Sequence, residues 1–190
     1  MFEGHTPLDS RWQYGDITAE EISSELQLLN RLPYTTAVIK ECLRLKPPLS
    51  SVRAGAPDFF LTRPETRQRL PSDGFVLWAA SKAVHRHPAY WTEPDAFMPE
   101  RWLTGVTTKN AWRPFELGPR ACIGQELAMT ELRMLLVMIV RDLEIIPQYN
   151  DTDLCVLGTQ AYQVTMSEEL TAHPRNGMPV QVELCQRRAS

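Results

Sequence analysis

Apolar side chains recur at steps of three and four residues in two parts of the chain, which predicts two amphipathic helices. The longer helix follows Leu127, and its apolar face takes in positions 128, 132, 135, 136, 139 and 143. The other runs from about Tyr34 to Leu45, with apolar sides for burial at positions 37, 38, 42 and 45. Pro33 is tolerated in its first turn, and Lys46-Pro47-Pro48 ends it.

A further helix is predicted ahead of these two, because Thr18 can cap a helix and Glu21 completes a capping box three residues later. Positions 22, 26 and 29 are spaced for one buried face, whereas residues 1–16 are expected to be a frayed, disordered start.

Short apolar runs between turn residues predict strands. They lie at Ser51–Arg53, at Phe59–Thr62 and at Phe75–Ala79, the last two joined by a polar turn with Pro71, Asp73 and Gly74. After the long helix, residues 141–147 turn toward strand character, and the alternating segments 161–166 and 179–184 are expected to pair as a hairpin-like unit. A short helix ended by Pro88 and an irregular loop over 91–99 complete the prediction.

Size and charge narrow the class of protein. The chain has 190 residues with 43% apolar content, which suits one globular domain with a real core. Its net charge is -3 and no run of lysine and arginine stands out, so we expect no nucleic-acid partner. The longest apolar run, Met134–Val140, is too short to span a bilayer, and the N-terminus lacks the pattern of a signal peptide.

The four cysteines stand apart, at positions 42, 122, 155 and 185, and form no CxxC pair. This spacing argues against a zinc site and against a disulfide framework, and it favours a reducing, intracellular location. His85 and His87 could bind a metal together, but surface or indirect roles are favoured because nothing nearby completes a ligand set.

Cys122 lies in a loop that runs directly into the long helix, within the segment Trp112-Arg113-Pro114-Phe115-Glu116-Leu117-Gly118-Pro119-Arg120-Ala121-Cys122-Ile123-Gly124. A helix N-terminus favours the thiolate form, which binds metals. Gly118 and Gly124 leave room for a flat ligand, Phe115 can exclude water, and Arg120 can reach an anionic group. This set suits axial ligation of haem iron, whereas a lone cysteine in this position would more often be a buried structural residue.

A second set of residues favours a structural ion-pair network. Glu41 and Arg44 are three residues apart on the predicted helix and so share a face. Such a pair alone is weak evidence, but its neighbours are apolar, and Pro99-Glu100-Arg101-Trp102 offers a second arginine. One buried carboxylate held by two guanidinium groups would be a satisfied network.

The pattern Phe115-x-x-Gly118-x-Arg120-x-Cys122-x-Gly124 resembles the haem-binding loop of the cytochrome P-450 family. The preceding Glu-x-x-Arg and Pro-Glu-Arg-Trp segments match the family's order as well, with Trp102 where many members carry phenylalanine. The resemblance covers residues 17–185 of 1–190, and it implies a partial cytochrome P-450 domain: an α+β fold, the C-terminal part of the family's fold, with helices, small sheets and a long irregular meander.

The resemblance also implies roles for individual residues. Cys122 would be the axial ligand of haem b, within a loop formed by Phe115, Gly118, Arg120 and Gly124. Arg120 would hold a haem propionate, and Arg53 in the first strand would hold another, the alternative for Arg53 being a surface arginine. Glu41, Arg44 and Arg101 would form a structural triad that holds the meander ahead of the loop.

The family's activity leads to an expectation about the whole enzyme. It would be a monooxygenase that inserts one oxygen atom from O2 into a small apolar organic substrate, in fungal secondary metabolism, with electrons from an NADPH-dependent reductase. The parent protein is expected at the endoplasmic reticulum membrane, but the membrane anchor and the distal oxygen-activating helix are missing from this sequence. The alternative is a truncated, non-catalytic remnant that binds haem weakly or not at all.

Overall fold

The computed structural model describes residues 26–105, 107–140, 142–148, 164–166, 171–174 and 179–185. Within them the helices are α1 (Pro33–Leu45), α2 (Ser81–Val84) and α3 (Gln125–Val140), with short 3-10 helices at Leu26–Arg31, Pro99–Trp102 and Gly118–Arg120. The strands are β1 (Ser51–Ala54), β2 (Phe60–Thr62), β3 (Arg69–Pro71), β4 (Val76–Ala79), β5 (Leu143–Pro147), β6 (Val164–Met166), β7 (Ala172–Pro174) and β8 (Val180–Leu184).

Helix α1 begins and ends where its prolines predict. Pro33 occupies its first turn, where a missing N–H costs nothing, and the helix ends at Leu45, with Lys46 as the C-cap just before Pro47. Of the predicted apolar positions of α1, only Ala37 is buried; the other buried residues are Thr35, Ile39 and the charged pair Glu41 and Arg44. The helix therefore buries a polar interaction as well as apolar surface. The predicted capping box at Thr18 lies outside the described residues.

The first four strands form two nested antiparallel pairs. β1 pairs with β4, and β2 pairs with β3 inside them. The prediction of strands at 59–62 and 75–79 is confirmed, and Asp73 and Gly74 form a turn, but Pro71 belongs to β3, whose three residues are too few to give a sequence pattern. Each of these two strands pairs with a different partner.

A close main-chain approach joins the two strand pairs. The buried Ser72 hydroxyl donates to the Phe59 carbonyl at 2.8 Å and accepts from the Ala56 main-chain N–H at 3.1 Å. A Cβ atom added at Gly55 would lie 1.6 Å from the Ser72 carbonyl oxygen, so only glycine fits there.

The C-terminal strands contradict the predicted pairing of 161–166 with 179–184. β8 pairs instead with β5, in the register Leu143↔Leu184 to Pro147↔Val180, and β6 pairs with β7. Alternation indicates which segments are extended but not which segments they pair with.

The apolar core joins the segment before α1 to α3. Leu29, Leu32 and Val137 are buried together, with Met134 packed against them. Other apolar side chains of α3 are exposed, including Leu127, Leu135 and Met138. None of the helices in the described ranges is long and apolar enough to cross a membrane.

We expect Gly55→Ala to lower the free energy of unfolding by about 3 kcal/mol, because the new methyl group meets main chain that cannot rotate away. Gly74→Ala is the control: its φ is +74°, but the added Cβ meets nothing within 4 Å, so only backbone strain of about 1 kcal/mol is expected. Denaturant titration of both variants measures the difference. A smaller loss for Gly55→Ala than for Gly74→Ala would contradict the assigned close contact.

Candidate functional site

Cys122 lies between the 3-10 helix Gly118–Arg120 and the start of α3, and its side chain is exposed. Its main-chain N–H donates to the Phe115 carbonyl at 2.8 Å, which closes the loop on itself. The sequence prediction that Cys122 directly precedes a helix is therefore confirmed. The sulfur faces outward from a closed loop at a helix N-terminus, where a ligand can approach it.

The two glycines of the loop have different surroundings. Gly118 has a φ of +77°, a left-handed conformation that side chains rarely adopt, so glycine is needed there for the turn. A Cβ added at Gly124 would lie 3.9 Å from the Cys122 sulfur, an ordinary contact distance, so its absence leaves space beside the thiol. Arg120 is exposed, and Phe115 is half-buried.

The residues that enter the loop are fastened to three other elements. The Trp112 indole N–H donates to the Lys40 carbonyl of α1 at 3.1 Å. The Arg113 main-chain N–H donates to His85 Nε2 at 2.8 Å. The Glu116 carboxylate accepts from the Ser51 hydroxyl of β1 at 2.8 Å and from Arg113 at 3.0 Å. The loop is thus anchored on its N-terminal side, while 117–123 is exposed.

Apolar side chains near Cys122 along the chain are also exposed. Ile123 is fully accessible, and Leu117 and Leu127 are about half exposed. A soft sulfur donor beside uncovered apolar surface and a glycine-lined gap matches what a flat, largely apolar, metal-containing ligand requires. The residues present therefore fit a haem group.

Arg53 makes no contact with the cysteine loop among those the structure describes. It is exposed on β1, and its guanidinium donates to the neighbouring Val52 carbonyl at 2.7 Å. It lies two residues after Ser51 and hence on the same face of the strand as the side chain that holds Glu116.

The structure brings Glu41, Arg44 and Arg101 together. Arg44 donates to both oxygens of the Glu41 carboxylate, at 2.9 and 2.8 Å, and Arg101 donates to Oε1 at 3.2 Å. The Met98 main-chain N–H and the Trp102 indole N–H add two further donors at 3.0 Å each. Glu41 and Arg44 are both fully buried.

Arg44 also donates to main-chain carbonyls outside α1. Its Nη1 donates to the carbonyls of His85 and Pro94, at 2.8 and 2.6 Å, and its Nη2 to that of Ala96, at 2.9 Å. Arg101 donates to the carbonyls of Thr92 and Glu93. The irregular segment from 92 to 102 is thus held to α1 by two guanidinium groups: that of Arg44 on α1 and that of Arg101 in the segment itself.

Burial and hydrogen bonds shift the pKa of Glu41 in opposite directions. Burial raises the pKa of this carboxyl, but the hydrogen bonds from Arg44 and Met98, together with the charges of Arg44 and Arg101, outweigh it and leave the pKa below its ordinary value. The carboxylate is therefore ionised throughout the neutral range.

His85 is fully buried and joins α1 to the cysteine loop. Its Nδ1 lies 3.0 Å from the Arg44 carbonyl, and its Nε2 accepts from Arg113. Burial lowers the pKa of His85 to about 4, with the charges of Arg44 and Arg113 adding to the shift and the Arg44 carbonyl and Glu116 opposing it. The other histidine of the pair, His87, is exposed and packs against the Tyr90 ring at 5.0 Å between centroids.

Aromatic rings continue the connection toward the loop. Successive ring centroids of Trp91, Trp102, Trp112 and Phe115 are 5.6, 5.6 and 6.1 Å apart. The Lys40 ammonium lies 5.6 and 5.9 Å from the Trp102 and Trp112 ring centroids. The row packs the meander against the entry of the cysteine loop.

Sequence reasoning missed three contributors to this site. It noted Trp102 only as standing where many members carry phenylalanine, but the indole N–H donates to Glu41, which phenylalanine cannot do. It gave His85 only an indirect or surface role and assigned none to Glu116. The signal for Trp102 was the donor itself, because a half-buried indole N–H needs an acceptor. The partners of His85 and Glu116 lie 28 and 65 residues away, beyond any local pattern.

Comparison with known proteins gives the class to which this fold and loop belong. Residues 17–172 match the family model described as Cytochrome P450, and the chain belongs to that family. Among curated relatives, the "Cytochrome P450 monooxygenase polC" of Polytolypa hystricis is 37% identical over 185 residues, which cover 89% of this chain and 33% of that protein. The chain therefore spans about a third of the length of this relative.

Another relative is similar over most of both lengths. The "Cytochrome P450 monooxygenase PC-23" of Penicillium crustosum is 31% identical over 182 residues, 85% of this chain and 81% of that protein. Among solved structures, the heme domain of a cytochrome P450DA mutant superimposes with a TM-score of 0.66 at 25% identity, covering 85% of this chain and 33% of the other. The predicted α+β fold, part of the cytochrome P-450 fold, is confirmed.

We expect Trp102→Phe to lower the free energy of unfolding by about 2 kcal/mol, since it removes a donor from a buried carboxylate. The matched control is Trp112→Phe, which removes an indole bond to the neutral Lys40 carbonyl and should cost about 1 kcal/mol. Urea titration of the two variants tests the ranking. Equal losses would show that the charge of the acceptor makes no difference there.

Stability should fall as the pH drops from about 6.5 to about 4. The unfolded chain binds a proton at His85 below its ordinary pKa of 6.5, but the folded chain does so only below about 4. The shift corresponds to about 3 kcal/mol, present above pH 6.5 and lost by pH 4. Urea midpoints across this range measure it, and His85→Gln should flatten the curve there. An unchanged slope in the variant would assign the effect to other groups.

Proposed function

We propose that this chain is the thiolate-bearing part of a haem monooxygenase, with Cys122 as the axial ligand of the haem iron. The observation that carries the proposal is the exposed thiol at the N-terminus of α3, on a loop closed by the Cys122 N–H and anchored at its entry. When bound, the haem would supply the oxygen chemistry, and the Cys122 thiolate would hold the iron and donate electron density to it.

The other loop residues would bind and shield the group. Gly118 and Gly124 would let its flat face approach the main chain, and Phe115 would exclude water from the thiolate. Arg120, exposed and two residues before Cys122, would pair with a propionate of haem b. Arg53 is proposed as a second propionate partner, supported by its place on the face of β1 that also holds Glu116.

The triad of Glu41, Arg44 and Arg101 would act on the site only through structure. It holds the 92–102 segment against α1, and the aromatic row packs that segment against the loop entry. Its proposed role is to keep the thiolate in place during turnover. It supplies no group that touches the haem.

The substrate and partners are proposed from the class of relatives. Relatives in Polytolypa hystricis and Aspergillus aculeatus are named cytochrome P450 monooxygenases. We therefore propose a small apolar organic substrate, use in fungal secondary metabolism, and an NADPH-dependent reductase as electron donor. The parent enzyme is proposed to lie at the endoplasmic reticulum membrane.

A second candidate function is haem binding without oxygenase activity. It is favoured by the exposed apolar side chains of α3 and the small sheets. The two candidates share the cysteine ligand and differ in turnover. Oxygen insertion into an organic probe with a reductase present would support the first, and haem binding without turnover would support the second.

The ligand assignment is tested by adding haem to the purified chain, reducing it and adding carbon monoxide. We expect the strongly red-shifted absorption band of a thiolate-bound haem, and we expect Cys122→Ser to lose it because a hydroxyl is a poor iron ligand. Cys185→Ser is the matched control, because Cys185 follows β8 in the β5–β8 pair and should retain the band. A Cys122→Ser protein that kept this band would end the proposal.

A further inference from the structure

His85 has a single protonation form that satisfies both of its neighbours. The Arg44 carbonyl, 3.0 Å from Nδ1, can only accept, and the Arg113 main-chain N–H, 2.8 Å from Nε2, can only donate. The ring must therefore be neutral with its proton on Nδ1. Both partners are main-chain groups, so the ring orientation is set by the fold and not by mobile side chains.

The link between His85 and α1 runs in both directions. The His85 ring donates to the Arg44 carbonyl, and the Arg44 guanidinium donates to the His85 carbonyl at 2.8 Å. Arg44 is at the same time held by both oxygens of Glu41. The main chain of His85 is thus tied through Arg44 to the buried Glu41 carboxylate.

From Arg113 the connection continues to the cysteine within one short segment. Arg113 lies two residues before Phe115, whose carbonyl accepts from the Cys122 N–H at 2.8 Å. The Arg113 guanidinium also donates to Glu116 at 3.0 Å. Fixing the Arg113 main chain therefore fixes the carbonyl on which the Cys122 main chain closes.

We propose that His85 is a positioning residue for Cys122: its Nε2 holds the Arg113 N–H and so sets the place of the thiol. This role rests on the proposed function, because the position of the Cys122 thiol matters only if the thiol binds the haem iron. It differs from simple core filling, since it depends on one acceptor atom and not on the volume of the ring.

Two substitutions distinguish the hydrogen bond made by Nδ1 of His85 from the one made by Nε2. In His85→Gln the side-chain oxygen can take the place of Nε2 and accept from Arg113, whereas the donor to Arg44 is lost. In His85→Asn the side-chain nitrogen can take the place of Nδ1 and donate to Arg44, but the shorter side chain does not reach Arg113. His85→Phe keeps the ring and removes both bonds.

The readout is hydrogen exchange at the Cys122 amide, compared with the amide of the buried core residue Val137 in the same sample. We expect the Cys122 rate, relative to Val137, to rise roughly tenfold in His85→Asn and His85→Phe, as for a lost buried hydrogen bond, and to stay near that of the wild type in His85→Gln. If all three variants shift both amides together, His85 only fills the core and the proposal is overturned.

A second pair of variants leaves His85 intact, in case its substitution prevents folding. Arg113→Pro removes the N–H that His85 accepts, and Arg113→Ala keeps that N–H while removing the side chain. We expect faster relative exchange at Cys122 in Arg113→Pro than in Arg113→Ala. Equal rates would overturn the proposal.

Haem reconstitution separates this proposal from the proposed function. If the unsubstituted chain forms the thiolate-type carbon monoxide band, a larger share of the haem should lack thiolate ligation in His85→Asn than in His85→Gln. This share is measured from the absorption of the carbon monoxide complex that is not red-shifted. If the unsubstituted chain forms no such band, the proposed function fails for this chain, while the exchange ratio still decides whether His85 positions Cys122.

Discussion

The structure depends on one buried carboxylate. An ionised Glu41 without partners would be very costly to bury, and five hydrogen bonds from Arg44, Met98, Arg101 and Trp102 offset that cost. These donors come from α1 and from residues 98–102, so satisfying the charge requires the two segments to meet. A segment with little regular structure obtains a definite place because a charge on α1 needs its donors.

The same charge organises the chain beyond its immediate partners. Arg44 is needed by Glu41 and fixed by it, and this leaves its remaining donors aimed at carbonyls of residues 85, 94 and 96. Guanidinium has five donors in a rigid plane, so one arginine can join a carboxylate and several main-chain segments, which lysine cannot do. The irregular loops are therefore held by few groups, each with many bonds.

The parts of the structure that could be predicted from the sequence are those marked by neighbouring residues or by a regular spacing of residues along the chain. The pairing of Glu41 with Arg44 follows from helical spacing, and the cysteine before α3 follows from the apolar period of that helix. The partner of β8 could not be found this way, because alternation carries no information on pairing and β5 is more than thirty residues away. The place of His85 depends on two main-chain partners that only the folded chain supplies.

The cysteine loop is rigid on one side and open on the other, and this asymmetry bears on ligand binding. Trp112, Arg113 and Glu116 are held by α1, His85 and β1, while residues 117–123 are exposed. A ligand that approaches the sulfur from the open side would break none of those anchors. The cost of ordering the entry of the loop is met when the protein folds, which leaves more of the binding free energy for the bond to the metal.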